Sequence, residues 1–358
     1  MKTERPRRLL RHAARAAAVV APLLLLGAPS APAQDRQDKK AVVQVSDGEL
    51  SRCGASPGAK TAGEKSCLRG KIRAVMASAT TARARGGGLV ESAPYSVVKD
   101  TYDERGNLTL VEISDSSNGP APVGVLFRRG VFSYDEEGRQ TASEWYEAGA
   151  DEPVSVVAYS YDERGHRVKI DSWQTKPDAH LIQESSYDAK GREVETTSSR
   201  LTPDGWKTSK SKQVTNVEGM LTTVRTYSQA GAYRGRTEVV RDERGRILGE
   251  ELYVTDARGE EQLKWKVAYR YERGFLREVV YHKADASLGA RAVYEYDDHG
   301  NCTSLTKYNA DGTFAGAVQR EYVYDAVGNW VTCVSFSRPS ENGAPHPFNL
   351  VRRQITYD

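Results

Sequence analysis

Tyr102-Asp103-Glu104-Arg105-Gly106-Asn107 is the first of nine related segments, each a variant of Tyr-Asp-x-x-Gly, that recur between residues 102 and 328. Successive glycines of the series lie 26 to 32 residues apart. A repeat of this length is typical of a fold in which one small unit is stacked many times, so that no single unit buries its apolar face alone. The nine glycines are Gly106, Gly138, Gly165, Gly191, Gly219, Gly245, Gly274, Gly300 and Gly328.

Each segment predicts a chain reversal. Asp at the first position of a turn accepts a hydrogen bond from the backbone amide two residues later, and Gly at the fourth position adopts a positive φ without a Cβ clash. A type I turn closed by such a glycine is a common hairpin connection. We therefore assign a structural turn role to Asp103 and Gly106, Asp135 and Gly138, Asp162 and Gly165, Asp188 and Gly191, Asp297 and Gly300, and Asp325 and Gly328.

The stretches between the turns indicate strands. Residues rich in β-branched and aromatic side chains follow each glycine, for example Val168 to Trp173, and a second turn such as Pro203-Asp204-Gly205 lies midway between glycines. Two strands and two connections account for the period. The predicted fold class is all-β: a long, coiled antiparallel β-sheet of about 18 strands, built from these hairpins over residues 95–358. The pattern leaves open whether the sheet closes.

The hexapeptides starting at Tyr102, Tyr187 and Tyr324, of the form Tyr-Asp-x-x-Gly-[Arg/Asn], resemble the Rhs/YD-repeat family over about residues 95–358. Three copies depart from the pattern: Thr215-Asn216 and Arg241-Asp242 lack the tyrosine, and Tyr271-Glu272-Arg273-Gly274 is one residue short. In that family the repeats form a spiralling β-sheet, in bacterial members often a hollow shell around a toxin. The repeats also occur in cell-surface proteins, for which carbohydrate or protein binding has been proposed. The resemblance thus implies a domain of nine YD repeats.

The first 33 residues are typical of a signal peptide. Six Lys and Arg residues precede an apolar run, Ala16 to Leu26, and the small-residue site Ala31-Pro32-Ala33. The apolar run is too short, and is interrupted by Pro22, for a membrane span. We predict export to the periplasm or the extracellular space, with cleavage near Ala33. Residues 1–33 carry six basic residues and Glu4, so the charge of +3 becomes 3 − 5 = −2 after cleavage, which argues against nucleic-acid binding.

Residues 34–94 differ in composition from the repeats. Leu68, Ile72, Val75, Met76 and Ala79 recur at helical spacing, which predicts one short helix in a cap or linker segment that covers the open edge of the first repeat.

The four cysteines are expected to lie in an oxidising compartment. We predict a disulfide between Cys53 and Cys67. Cys302 and Cys333 follow the glycines of neighbouring repeats, so one strand lies between them and we predict no bond between the two. No pair of Cys or His residues has zinc-finger spacing.

No catalytic constellation is recognisable, and we expect neither enzymatic activity nor a cofactor or metal. The five histidines beyond residue 33 form no known motif, and the repeated aspartates are accounted for by turns. The alternatives are a carbohydrate-active enzyme, which needs two facing carboxylates that no turn explains, and a shell or accessory protein of a toxin system. The sequence stops at Tyr357-Asp358 without an Asp-Pro-x-Gly motif, which disfavours an enclosed toxin.

The remaining signal is aromatic. The chain has 19 Tyr and five Trp against six Phe, a bias toward rings with a polar tip that suit a half-wet surface. Tyr at a repeated position predicts a ladder along the sheet. Exposed rings would bind sugar faces or another protein, so we predict a binding scaffold of the cell envelope or extracellular space whose partner is a glycan or an unknown protein. The candidate binding residues are Trp145, Trp173, Trp206, Trp265 and Trp330.

Overall fold

The computed structural model describes residues 68–115, 126–175, 178–215 and 220–358, in which all regular secondary structure is β-strand. The signal peptide and the pair Cys53 and Cys67 lie outside the described residues. The strands are β1 (Ile72–Arg85), β2 (Gly88–Glu91), β3 (Ser96–Tyr102), β4 (Leu108–Asp115), β5 (Arg128–Tyr134), β6 (Gln140–Glu147), β7 (Ser155–Tyr161), β8 (Arg167–Thr175), β9 (Asp178–Tyr187), β10 (Glu193–Thr202), β11 (Gly205–Thr215), β12 (Leu221–Tyr227), β13 (Tyr233–Arg241), β14 (Ile247–Thr255), β15 (Glu261–Glu272), β16 (Phe275–Lys283), β17 (Leu288–Tyr296), β18 (Cys302–Asn309), β19 (Phe314–Tyr324), β20 (Trp330–Arg338) and β21 (His346–Tyr357).

The turn between β3 and β4 shows how the repeated motif reverses the chain. The amide of Gly106 donates to the carbonyl of Asp103 at 2.9 Å, and Gly106 has a φ of 79°. Oδ1 of Asp103 accepts from the amides of Arg105 and Asn107 at 2.9 and 2.8 Å. The carboxylate therefore holds the turn while the glycine supplies the left-handed conformation. The glycine-to-aspartate backbone bond recurs at Gly138, Gly165, Gly191, Gly245, Gly300 and Gly328.

Two of the departures from the motif form turns within the described residues. Arg241-Asp242 lacks the tyrosine but closes the same turn, with the amide of Gly245 donating to Asp242 at 2.9 Å. In the shortened copy both Arg273 (φ 51°) and Gly274 (φ 91°) are left-handed, and Glu272 pairs directly with Phe275. Positive φ at both central residues defines a two-residue type I′ hairpin. The copy at Asn216 lies outside the described residues.

The sheet is closed, which the sequence left undecided. Strands β3 to β21 pair with their sequence neighbours in antiparallel order, and β1 pairs with β21 on one side and β3 on the other. The result is a barrel of 20 strands, with β2 as an extra strand on the end of β1, in place of the predicted coiled sheet of about 18 strands. The described turns of the nine-fold repeat lie at one end of the barrel, the first rim, and the alternate connections, one of which is the further Asp-x-x-Gly turn Asp256–Gly259, lie at the other end, the second rim.

The helix predicted around Ile72 to Ala79 is wrong, because these residues belong to β1. Helical spacing of apolar residues in a short segment does not by itself exclude a strand. Two of the β-branched residues in β1, Val75 and Thr80, are 5% and 4% exposed. As a strand, the segment satisfies the backbone groups of both β21 and β3, which a helix would leave unpaired.

The register separates the sheet into two faces of different chemistry. Asp100, Val111, Gly130 and Trp145 are directly paired in succession, and on its other side Asp100 pairs with Val75 of β1. Most buried apolar strand residues share this face. Because side chains converge on the concave side of a closed sheet, we assign it as the inner face. The opposite, outer face carries ion pairs such as Lys99–Glu112, Lys266–Glu251 and Arg270–Glu278.

Tyrosines of the repeat join neighbouring units on the inner face near the first rim. In three successive repeats the tyrosine hydroxyl donates at 2.7–2.9 Å to a backbone carbonyl of the preceding unit: Tyr134 to Leu108, Tyr161 to Gln140, and Tyr187 to Arg167. Near the seam the hydroxyls of Tyr324 and Tyr357 bond instead to the turn carboxylates Asp297 and Asp325. Each of these five units is thereby tied to the next repeat as well as to its own hairpin.

Cys302 in β18 and Cys333 in β20 are both buried and are free thiols, with β19 lying between their strands as the predicted meander requires. Burial raises the pKa of each thiol above its ordinary value. The side chains therefore stay protonated and contribute to packing, as Cys302 does against Tyr294 and Leu305.

Asn329 connects the last turn to the segment that precedes β1. Its Oδ1 accepts from the amide of Arg69 at 2.7 Å, and its Nδ2 donates to the Arg69 carbonyl and to the Tyr357 hydroxyl, both at 2.8 Å. The Asn329 side chain is 3% exposed. This residue therefore clamps the start of β1 against the end of the barrel, at the seam where the ring closes.

We expect Asn329→Ala to lower the free energy of unfolding by about 2 kcal/mol, because it removes three hydrogen bonds and strips the Arg69 amide and carbonyl of these partners. The matched control is Asn107→Ala in the first repeat, where the amide side chain bonds only to its own turn carboxylate at 2.9 Å. The control is expected to cost about half as much. Urea unfolding of both variants measures the difference, and equal losses would show that the seam clamp contributes nothing of its own.

Candidate functional site

The structure distributes the five candidate tryptophans over both faces of the sheet. Trp145, Trp265 and Trp330 lie on the inner face or pack against it, and Trp173 and Trp206 lie on the outer face. The two outer rings are 39% and 42% exposed. Only these two are therefore open to a ligand on the outside of the barrel.

Two of the inner tryptophans, Trp145 and Trp330, pack against neighbouring side chains. Trp145 makes an edge contact with Phe132 at 6.0 Å, and the Arg128 guanidinium lies 4.7 Å from its ring centre. Trp330 lies under the Arg353 guanidinium at 3.3 Å and contacts the Tyr322 ring at 5.9 Å. Such contacts stabilise the wall of the barrel through cation–π and ring–ring interactions.

Trp173 and Trp206 belong to one row of side chains that crosses four strands of the outer face at the second rim. Trp173 on β8 is directly paired with His180 on β9, and Leu201 on β10 is paired with Trp206 on β11. The His180 and Trp206 rings meet edge to face, with centroids 5.0 Å apart. We name Trp173, His180, Leu201 and Trp206 the aromatic row.

A second row of side chains runs beside the aromatic row on the same outer face, two residues further from the second rim along each strand. It consists of Asp171, Ile182, Ser199 and Thr208, which are paired strand to strand. The hydroxyls of Ser199 and Thr208 are 3.0 Å apart. A strip of three rings and one leucine therefore lies next to a strip of three polar side chains and Ile182, which we name the polar row.

Asp171 links the two rows. Its Oδ1 lies 2.7 Å from Nε2 of His180, and its Oδ2 lies 3.1 Å from the ammonium of Lys169. Partial burial acts to raise the pKa of Asp171, but the hydrogen bonds from His180 and Lys169 outweigh it and hold the pKa below its ordinary value. The carboxylate is thus ionised at neutral pH and orients the His180 ring beside Trp206.

Sequence reasoning selected the tryptophans but missed His180, Leu201 and Asp171. The signal that finds them is register: Trp173 precedes the tip of the β8–β9 hairpin, and the residue at the matching distance after the tip, His180, faces it. The same rule applied to the β10–β11 hairpin pairs Leu201 with Trp206. The prediction of both pairs requires the position of each hairpin tip to be known to the residue.

The inner face contains a half-buried carboxyl group that no turn explains, Asp100 on β3. Burial raises its pKa to about 6, although the positive charge of Arg353 opposes the rise. Burial also lowers the pKa of Arg353 to about 10. Asp100 on β3 and Arg353 on β21 lie on either side of β1, so a cation is the nearest charged group across β1, whereas a glycosidase requires a second carboxyl group there. We interpret the two groups as a charge pair of the barrel wall.

In the described part of the chain, no group of three or more His, Cys, Asp or Glu side chains is placed to hold a metal ion. Nor does that part contain a helix with the length and apolarity needed to cross a membrane.

No protein-family model and no curated protein matches the chain. Similar solved structures include a porin-like protein from Bacteroides uniformis ATCC 8492, with a TM-score of 0.33, 11% identity, and coverage of 80% of this chain and 96% of that one. A porin-like protein from Bacteroides vulgatus ATCC 8482 has a TM-score of 0.25 at 10% identity and covers 78% and 97%. The Photorhabdus luminescens Tc holotoxin pore has a TM-score of 0.20 at 15% identity, and this chain spans 18% of that chain's length. Likeness at this level assigns neither family nor function.

Asp100 predicts a distinctive pH dependence of stability. Because its pKa in the folded protein, about 6, is above its ordinary value of 3.8, its contribution to stability is present at about pH 4 and is lost as the pH rises through 6. Asp100→Asn removes the loss, so we expect the variant to exceed the natural protein in stability at pH 7 by up to about 3 kcal/mol and to match it near pH 4. Urea unfolding at both pH values measures this, and a variant that is weaker at pH 7 would contradict it.

Proposed function

We propose that this chain is an exported, non-enzymatic binding scaffold of the YD-repeat kind, acting in the cell envelope or extracellular space, and that the aromatic row is its binding site. The observation that carries the proposal is the exposure of two tryptophans, Trp173 and Trp206, at the two ends of one row of side chains on the outer face. Tryptophan is enriched at binding hot spots because one ring buries a large area at a small cost in conformational entropy.

The rest of the barrel supports a scaffold role. The backbone at the site is held by strand pairs on both sides of β9 and β10, so the rings project from a rigid surface. The His180 ring, fixed by Asp171, packs against Trp206 and limits its rotamers. The surface is therefore preorganised, and binding of a ligand there loses little free energy to the ordering of side chains.

The compartment follows from the signal peptide that we predict in residues 1–33. The absence of a recognisable catalytic motif in the sequence and the assignment of Asp100 to the barrel wall both favour binding over catalysis. Membership of the YD-repeat family is supported by the nine Tyr-Asp-x-x-Gly segments and by the tyrosine bonds that join successive repeats.

We expect the natural protein, immobilised after removal of its leader, to retain material from envelope extract. The double variant Trp173→Ala/Trp206→Ala should retain about tenfold less of that material, because both anchoring rings are removed. Tyr146→Ala, which removes a ring from the outer face of β6, is the matched control and is expected to bind normally. The thermal midpoints should agree within a few degrees, since the rings are exposed. Full retention by the double variant would refute the proposed site.

A further inference from the structure

We propose that the inner face of strands β16 to β21 binds an anionic amphiphile, a ligand with one carboxylate or phosphate head and an apolar chain of about a dozen carbon atoms. The guanidinium groups of Arg320 and Arg353 hold the head, and the chain lies on the apolar wall next to β19. This site goes beyond the proposed function, because the aromatic row lies on the opposite face of the sheet and takes no part in it.

The inner face surrounds a space, which we name the lumen, that its side chains do not fill. A circular ring of 20 strands about 4.8 Å apart has a diameter of about 30 Å, whereas two facing layers of side chains fill about 10 Å. The buried apolar side chains cluster along neighbouring strands, β1, β3 and β4 in one group and β17 and β18 in the other, and neither group bridges the ring. The lumen is therefore wide enough for a ligand.

Two cations act at one place on the wall of the lumen. Arg320 on β19 and Arg353 on β21 lie on either side of Cys333 on β20. All three share the inner face, since Cys333 pairs with Tyr322 and Val351, each of which is two residues from one of the arginines. Burial raises the pKa of the Cys333 thiol, and the positive charges of both arginines oppose the rise. Both guanidinium groups therefore lie close enough to Cys333 to act on the same ligand head.

Neither guanidinium forms an ion pair within the described part of the chain. The side chain of Arg320 contacts the Sγ of Cys302 at 3.8 Å, and Arg353 stacks on the Trp330 ring at 3.3 Å. The nearest carboxyl group to Arg353 across the sheet, that of Asp100, lies on the far side of β1. Both arginines are half-buried. Half-buried cations without a bonded counterion favour an anionic group that takes hydrogen bonds from both.

The wall of the lumen next to β19 is apolar. Leu276, Val279 and Tyr296 pack on the buried side chains of Tyr294 and Leu305 and remain part-exposed toward the lumen. An alkyl chain that covers this layer removes further apolar surface from water, which stabilises the complex.

The spacing of the strands sets the length of the chain. Cys302, which Arg320 contacts, pairs with Tyr296 on β17, so the apolar wall begins beside the guanidinium group. The three strand intervals from β19 to β16 span about 14 Å. An extended alkyl chain of about a dozen carbons has this length, given carbon–carbon bonds of about 1.5 Å.

The charges at the second rim favour a ligand with a single head over a polyanion. Four exposed turn carboxylates lie at this rim, those of Asp204, Asp256, Asp285 and Asp311. A polyanion threaded through the lumen would pass these groups and be repelled by them. A single head held at Arg320 and Arg353, away from the rim, avoids them.

The test measures binding of dodecanoate, dodecyl phosphate, dodecanol and inorganic phosphate to the mature protein by calorimetry, below the concentrations at which the amphiphiles aggregate. We expect both anionic amphiphiles to bind at least about tenfold more tightly than dodecanol, because only they bond to the guanidinium groups. They should exceed inorganic phosphate by at least as much, because it has no apolar chain to bury.

Substitutions test the two arginines. Arg320→Gln/Arg353→Gln should weaken dodecanoate binding at least about tenfold, whereas Arg320→Lys/Arg353→Lys, which keeps both charges, should lose severalfold at most. The matched control is Arg291→Gln, since Arg291 stacks on Tyr308 at 4.5 Å on the outer face, and it should bind like the natural protein. Thermal midpoints of all variants show that each one is folded.

A brominated dodecanoate, which quenches tryptophan fluorescence on contact, locates the ligand. Trp330 lies under Arg353, so quenching should persist in Trp173→Phe/Trp206→Phe and fall in Trp330→Phe. Loss of quenching in the first variant would move the ligand to the aromatic row and overturn the lumen site while leaving the proposed function intact. Two further results would overturn the inference: dodecanol or inorganic phosphate binding as tightly as the anionic amphiphiles, or unchanged dodecanoate affinity in the folded Arg320→Gln/Arg353→Gln variant.

Discussion

The barrel depends on the backbone pairing of β1 with both β21 and β3. An antiparallel meander of 19 strands from β3 to β21 would have two open edges, each with a row of unpaired amide and carbonyl groups. β1 pairs with β3 from Ala74 to Ala79 and with β21 from Ile72 to Thr81. A single strand from outside the repeats thus turns a sheet with two reactive edges into a ring with none, apart from the short extension β2.

The hairpins could be predicted from the sequence, because the Asp-x-x-Gly turn is a local interaction. The Asp103 carboxylate and the φ of Gly106 act within five residues, and they specify an antiparallel connection regardless of the rest of the chain. Closure of the sheet could not be predicted. Closure depends on the pairing of Ala79 with Val351, two residues that are far apart in sequence. It also depends on the total twist of the sheet, to which every pair of neighbouring strands contributes. The error at β1 has the same origin, since tertiary pairing overrode its local apolar spacing.

The candidate site was predictable in its residue type and not in its location. Trp145 and Trp173 differ by one residue in their distance from the preceding turn glycine, and that one residue places them on opposite faces of the sheet. A bulge follows most of the Asp-x-x-Gly turns, as where Tyr102 pairs with Leu108 while Thr101 pairs with Leu110. Such a bulge inserts one extra residue and so interrupts the alternation of inward-facing and outward-facing side chains. The face on which a residue lies therefore cannot be read from the sequence alone unless every bulge is known.

The two faces are under different constraints, which explains why the aromatic row can occupy the outer one. On the inner face, tyrosine hydroxyls bond to the preceding repeat, so a change in one unit disturbs its neighbour. On the outer face, exposed ion pairs such as Lys99–Glu112 contribute little to stability, so their replacement by other side chains costs little. Strands β8 to β11 carry Trp173, His180, Leu201 and Trp206 in place of such ion pairs. Their register does not depend on these side chains, because the inner face and the turns specify it. The inner face and the turns thus specify the architecture of the repeat, and the outer face tolerates a wider range of side chains.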